Sequence, residues 1–141
     1  MRFYSTKKSI KLLTVLSLGS ICVFAPAITV AGSLYVVAHP GVALTEAELK
    51  DVYTGEKQFS GSIKLVPVDN AAVQSEFLSK VMKMDAAVYG ALWIKKSFRA
   101  GLTTPKVKSG DAEIYSFIHK TPGAIGYVNV PVAGEQVLHK Y

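Results

Sequence analysis

Thr121-Pro-Gly-Ala-Ile-Gly-Tyr-Val128 decides the reading of the fold. Pro122 and Gly123 end whatever helix precedes them, because neither carries a helix onward. The residues that follow, Ala124 to Val130, are apolar, β-branched or aromatic apart from Asn129, and read as a buried strand. Upstream, Ser109-Gly-Asp-Ala opens a helix with Ile114, Phe117 and Ile118 at inward spacing. Helix, sharp stop and buried strand is the unit of a layered α/β domain.

Working outward, Leu34 to Ala38 reads as a first strand, ended by His39-Pro-Gly41. Thr45-Glu-Ala-Glu48 is a capping box, in which Thr45 caps and Glu48 reaches back. The helix it opens carries Leu49, Val52 and Tyr53 inward and stops at Gly55. Phe59 to Ser62 reads as a turn and Ile63 to Val68 as a second strand, with Pro67 near its end. Asp69-Asn70 is expected to open a helix running to about Met82, with Asp69 as its cap. Asp85 caps a third helix that carries Val88, Tyr89, Leu92 and Trp93. Arg99 to Lys108 reads as a polar loop, and Gln136 to Tyr141 as a short last strand. Consecutive helices between the second and third strands exclude a regular βαβ ladder.

The first 31 residues differ from the rest. Arg2, Lys7, Lys8 and Lys11 precede a stretch from Leu12 to Val30 without charge, and Thr29-Val-Ala31 ends small. This is the pattern of a secretory signal over 1–31, leaving a domain over 32–141. Thr14, Ser17, Gly19, Ser20 and Pro26 interrupt the run and argue against a spanning anchor. Cys22 follows Ile21 rather than a small residue, so it reads as filler and not as a lipid-attachment site. Without it the domain has no disulfide, thiol nucleophile or thiolate metal site. The formal charge of +6 is also uneven: residues 32–141 hold 12 of the 16 Lys and Arg and all 10 Asp and Glu, which leaves +2. That is not the footprint of a nucleic-acid binder.

Several segments together resemble the phosphate-type periplasmic solute-binding proteins of ABC transporters. They are Leu49-Lys-Asp-Val-Tyr-Thr-Gly55, Leu65-Val-Pro-Val-Asp69 with Phe77 after it, Tyr89 to Trp93, and Thr121 to Val128. They fall in the right order over nearly the whole domain, and the nearest likeness is to short, single-domain members. The resemblance implies a single-lobe, type-2 periplasmic-binding-protein-like α/β domain, a mixed sheet flanked by helices. It implies periplasmic, non-covalent capture of phosphate or a similar small oxyanion, with ABC transporter membrane subunits or another envelope protein as partners and no nucleic acid. Two departures stand against phosphate: the chain is short of a second lobe, and Asp69-Asn-Ala-Ala-Val73 replaces the Ser-Gly-Thr helix start of the family. The alternative is an envelope accessory protein that keeps the fold without the ligand.

The candidate ligand residues are Asp69, Asn70, Arg99, Thr103, Ser109 and Gly110. Arg99 is the one arginine of residues 32–141, and its planar fork can hold an oxyanion bidentately. Thr103 follows closely. The plainer reading of Arg99 is a cation at a helix C-terminus, where the dipole favours it. Ser109 and Gly110 could offer helix-start amides to an anion; the plainer reading is an N-cap, with Asp111 repelling an anion. Asp69, beside Asn70, either caps its helix or takes a proton from a protonated oxyanion or holds a cation. His39, His119 and His139 share no metal-ligand spacing, so neither metal nor cofactor is expected. The chain lacks a Gly-x-Ser-x-Gly elbow, a phosphate-binding Gly-rich loop and a His-Glu-x-x-His motif, and a non-enzymatic role is expected.

Overall fold

Two-residue periodicity in the central strand divides the protein into two cores. In the computed structural model, which describes residues 32–141 as part of one compact unit, this strand is β6, Ala124–Val128, buried along its whole length. The expected signal over 1–31, with Cys22, lies outside the described residues. Ile125 and Tyr127 face one core; Ala124 and Val128 face the other. The strand before it in space, β1 (Tyr35–Ala38), alternates in the same way, with Val36 and Ala38 on the first side and Val37 on the second.

Around these lie β4 (Val66–Asn70), β5 (Lys106–Lys108) and β7 (Gln136–Lys140), and the sheet order is β5-β4-β6-β1-β7. β4 runs parallel to both β5 and β6, while β1 is antiparallel to β6 and β7. The sheet is therefore mixed. The last strand pairs with β1 of its own chain. Its register slips between Val36 and Val37.

Helices α1 (Glu46–Tyr53), α2 (Gln74–Phe77) and α3 (Ala86–Ala100) supply the first core with Leu49, Val52, Tyr53, Phe77, Tyr89 and Trp93. The single helix α4 (Asp111–Lys120) covers the other side with Ile114 and Ile118. The chain is thus an α/β domain with a mixed sheet flanked by four helices. The capping box of α1 forms as read: Glu48 N–H donates to Thr45 Oγ1, and Thr45 N–H donates to Glu48 at 2.8 Å. Asp85 caps α3 by accepting from Val88 N–H at 2.8 Å.

Four expectations change. Phe59 to Ser62 is more than a turn: β2 (Phe59–Ser60) and β3 (Ile63–Lys64) pair antiparallel across Gly61-Ser62. The second strand accordingly begins at Val66, after the hairpin. It also extends through Asp69 and Asn70, and α2 starts only at Gln74, with Val73 as an N-cap that makes no side-chain bond. Asp69 therefore caps nothing. Beyond α2 a π-helical turn, Leu78–Met82, ends at Lys83 in the left-handed region. The polar loop from Arg99 divides into the end of α3 and the edge strand β5.

Pro67 lies at a hand-over. Before it β4 pairs with β6, through Val66 with Ala124 and Pro67 with Ile125; after it β4 pairs with β5, through Val68 with Lys106. A residue without an N–H fits where the ladder changes sides. Gly123 locks the start of β6 against the hairpin. Its φ is +79°, and a Cβ there would lie 2.0 Å from the Lys64 carbonyl oxygen. Gly126 lets α4 close on the sheet, since its Cβ would lie 2.7 Å from Ile114 Cγ2.

Gly123→Ala combines a left-handed backbone with a backbone clash, and is expected to cost about 3 kcal/mol or more. Gly61→Ala, also at positive φ but with open space around it, is expected to cost about 1 kcal/mol. Urea unfolding of the two variants checks the ranking; equal midpoints would show that the Lys64 carbonyl does not constrain Gly123.

Candidate functional site

The three parallel strands β4, β5 and β6 give the sheet two poles. Ligands of open α/β sheets gather at the carboxyl ends of the strands, and four of the expected site residues lie there: Asp69, Asn70, Ser109 and Gly110. Alternation sends Asp69 to the α3 side of β4 and Asn70 to the α4 side. They are the buried polar residues of the described chain, at 1% and 0% exposure.

Asp69 accepts hydrogen bonds from the Tyr127 hydroxyl at 2.9 Å and from the Tyr89 hydroxyl at 3.1 Å. Burial pushes its carboxyl up to about 6, against the pull of the hydrogen bonds from Tyr127, Tyr89 and Gln74. Burial, then the neighbouring Asp69 charge, raises both tyrosine hydroxyls well above their usual range. The Tyr53 hydroxyl reaches between the diverging strands to the carbonyls of Val68 and Ile125, at 3.0 and 3.1 Å. Phe77 stacks on Tyr127 with ring centroids 3.9 Å apart.

On the other side Asn70 Nδ2 donates to Asp111 Oδ1 at 2.8 Å and to the Tyr127 carbonyl at 3.0 Å. Asp111, at the first position of α4, also accepts from the N–H groups of Asn129 and Val130, each at 3.0 Å. Gly110 is the N-cap and makes no side-chain bond. Ser109 N–H is taken by Glu113 at 3.1 Å, which lowers the Glu113 carboxyl from its usual value. Of the two expected amides, that of Ser109 is thus occupied by the chain's own Glu113. This pole is acidic, with Asp69 buried on one side and Asp111 hydrogen-bonded on the other.

Arg99 and Thr103 are not at this pole. α3 runs the other way: Tyr89 meets Asp69, and Trp93 Nε1 donates to the Tyr53 carbonyl at 3.1 Å. Arg99 lies a further ten residues from Tyr89, about 15 Å along the helix axis. It is exposed in the last turn of α3, ahead of the left-handed Gly101. The structure therefore separates the arginine from the helix-start amides.

At the amino ends of β4 and β5 lies a cleft of about 460 Å³, within the size range of small-molecule sites. Lys57, Lys64 and Lys106 line it, with Thr103, Thr104 and Thr121, over a floor that includes Trp93, Leu102, Pro105 and Phe117. No carboxylate lines it. Lys57 is paired with Glu48 at 3.0 Å, whereas Lys64 and Lys106 form no ion pair among the described residues. Of the expected site residues, Thr103 alone lines this cleft. The three lysines went unnoticed in the sequence because 42 positions separate Lys64, in the β2–β3 hairpin, from Lys106, on β5, and only the tertiary fold brings them to one cleft. No group of acidic, histidine or cysteine residues among those described is arranged to hold a metal.

No protein-family model matches the chain, and no curated protein does. Among solved structures it is similar to an ABC-type phosphate transport receptor from Vibrio cholerae, with a TM-score of 0.48 and 15% identity over 76% of this chain. The match spans 45% of the receptor, less than half its length.

The raised Asp69 carboxyl has a signed consequence. The native state keeps its proton from the unfolded value of 3.8 up to about 6. The stability this contributes is full below pH 3.8 and is lost as pH rises through about 6. Asp69→Asn keeps the shape without the charge. Between about pH 4 and about pH 7.5 the mutant is expected to gain up to about 3 kcal/mol on the wild type. Parallel chemical unfolding across that range checks this; a constant difference between the two would show that Asp69 does not titrate there.

Proposed function

We propose that this protein is a non-catalytic, extracytoplasmic binding module of the solute-binding type, and that it captures a small organic oxyanion in the lysine- and threonine-lined cleft. The observation that carries this reading is the charge contrast between the poles. The carboxyl pole holds Asp69, Asp111 and Glu113, while the cleft is lined by three lysines and no carboxylate. Lys64 and Lys106 would meet the anionic group, and the threonine hydroxyls would donate to its oxygens. The floor of Trp93, Leu102 and Phe117 favours a ligand with an apolar portion over bare phosphate, since 460 Å³ exceeds what one phosphate fills. The ordered sequence motifs add the solute-binding class, and the residue pattern of 1–31 adds export.

A second reading, an envelope interaction module that keeps the fold without a ligand, is favoured by the acidic carboxylates at the carboxyl pole, where such sheets ordinarily bind. In that case the cleft lysines have no ligand to serve.

Calorimetric titration of residues 32–141 with phenyl phosphate, and with inorganic phosphate for comparison, separates the readings. Saturable binding is expected, tighter for phenyl phosphate and weaker at high salt. Lys64→Ala and Lys106→Ala are each expected to reduce affinity about tenfold, roughly 1.4 kcal/mol, and Arg99→Ala to leave it unchanged. No heat at millimolar ligand would favour the interaction module. Binding abolished by Arg99→Ala but not by the lysine variants would return the site to the arginine.

A further inference from the structure

Helix α3 turns Tyr89 and Trp93 inward, yet its outer side is also apolar. Ala87, Ala91, Ile94 and Phe98 recur at intervals of four, three and four residues, and all are exposed. Ile94 is 73% exposed and Phe98 92%. Four-three spacing is the seam by which one helix packs on another, and this one runs about 17 Å. Gly90 adds a separate oddity. It lies in the middle of a 15-residue helix, where glycine costs about 1 kcal/mol relative to alanine, and a Cβ there would meet nothing within 4 Å. The fold of the single chain does not call for it.

We infer that this face of α3 is a self-association surface, and that its occupant is α3 of a second copy of this chain, packed antiparallel about a two-fold axis. The seam is self-complementary in that direction. With Ala91 opposite the partner's Ile94, Ala87 falls opposite the partner's Phe98, so each large side chain meets a small one in both halves. Ala86, Gly90 and Ser97 flank one edge of the seam, and their small size lets the two backbones approach. The same register brings Arg99, at the C-terminal end of α3, level with the partner's Asp85 at the N-terminal end, so opposite charges meet at both ends. A parallel pair would instead set Phe98 on the partner's Phe98 and Arg99 on the partner's Arg99. One helix seam buries less surface than a standard interface, so the dimer is weak and concentration-dependent.

Sedimentation equilibrium of residues 32–141 from about 5 to about 500 μM tests this, a range that covers weak self-association. A reversible monomer–dimer equilibrium is expected. Phe98→Asp is expected to remain monomeric throughout with an unchanged circular dichroism spectrum, because Phe98 supports nothing in its own chain. Ala87→Phe is expected to weaken the dimer at least tenfold by setting two large rings together, and Ala87→Phe with Phe98→Ala to restore it. A monomer at every concentration overturns the inference, as does a Phe98→Asp dimer as strong as wild type. Rescue failing in the double variant overturns the antiparallel register. A monomeric wild type that co-floats with phosphatidylglycerol vesicles through Phe98 would make the stripe a membrane face and also overturn it.

Discussion

A carboxylate is buried at the end of β4, and much of the first core is arranged to satisfy it. An unpaired charge in an apolar interior is too costly to keep. Asp69 therefore requires donors from outside its own strand, and it takes them from Tyr127 on β6 and Tyr89 on α3. That requirement fixes the approach of α3 to the sheet. It also fixes the ring of Tyr127, on which Phe77 stacks, and so the approach of α2. Tyr53 completes the arrangement by bonding to the two strands where their own ladder has ended. One acidic side chain thus ties together a strand, its neighbour and two helices through aromatic residues that are otherwise hydrophobic filling.

The same constraint redistributes charge. At the carboxyl ends of the parallel strands, Asp69 is buried on one side, Asp111 is hydrogen-bonded on the other, and the Ser109 amide is taken by Glu113. Helix α4 begins with its own anions, Asp111 and Glu113, which suits its dipole and repels a foreign one. The positive balance of the domain is expressed at the amino ends instead. There Lys64 comes from the β2–β3 hairpin and Lys106 from the edge strand β5, and the loop after α3 contributes threonines. The pole where an α/β sheet ordinarily binds has become structural, and the opposite pole has the chemistry for an anion.

What was legible in the sequence is what depends on local chemistry. The capping box at Thr45, the Asp85 cap and the Pro122-Gly123 stop each act within four residues, and each appears where read. The buried β6 was legible because an unbroken apolar run is unusual. Three things were not. β5 is three residues long and two of them are lysine, so nothing local distinguishes it from a loop until β4 lies alongside. Asp69 followed by a helical pattern reads as a cap, and its true partners are 20 and 58 residues away. The cleft lysines share no motif, because a site assembled by the tertiary fold leaves no spacing to find. Arg99 stands apart for the complementary reason: a lone arginine is conspicuous in a sequence, but helix direction carries it away from the residues it was grouped with and leaves it in the last turn of α3.

Helix α3 is where these features meet, and its geometry explains why they are coupled. Tyr89 reaches the buried carboxylate at one pole; one turn on, Trp93 holds the Tyr53 carbonyl and lines the cleft at the other. Tyr53 in turn bonds β4 and β6 with its hydroxyl, so a shift of α3 along its axis would strain both poles together. The helix is long enough to span them because its cap, its 15-residue length and its left-handed Gly101 stop are all locally specified. Its inner face is then fully committed to hydrogen bonds and packing, and its outer face is free to vary without disturbing either pole. Exposed Phe98 and Ile94 lie outside both cores of the single chain, and polar residues there would serve its solubility better.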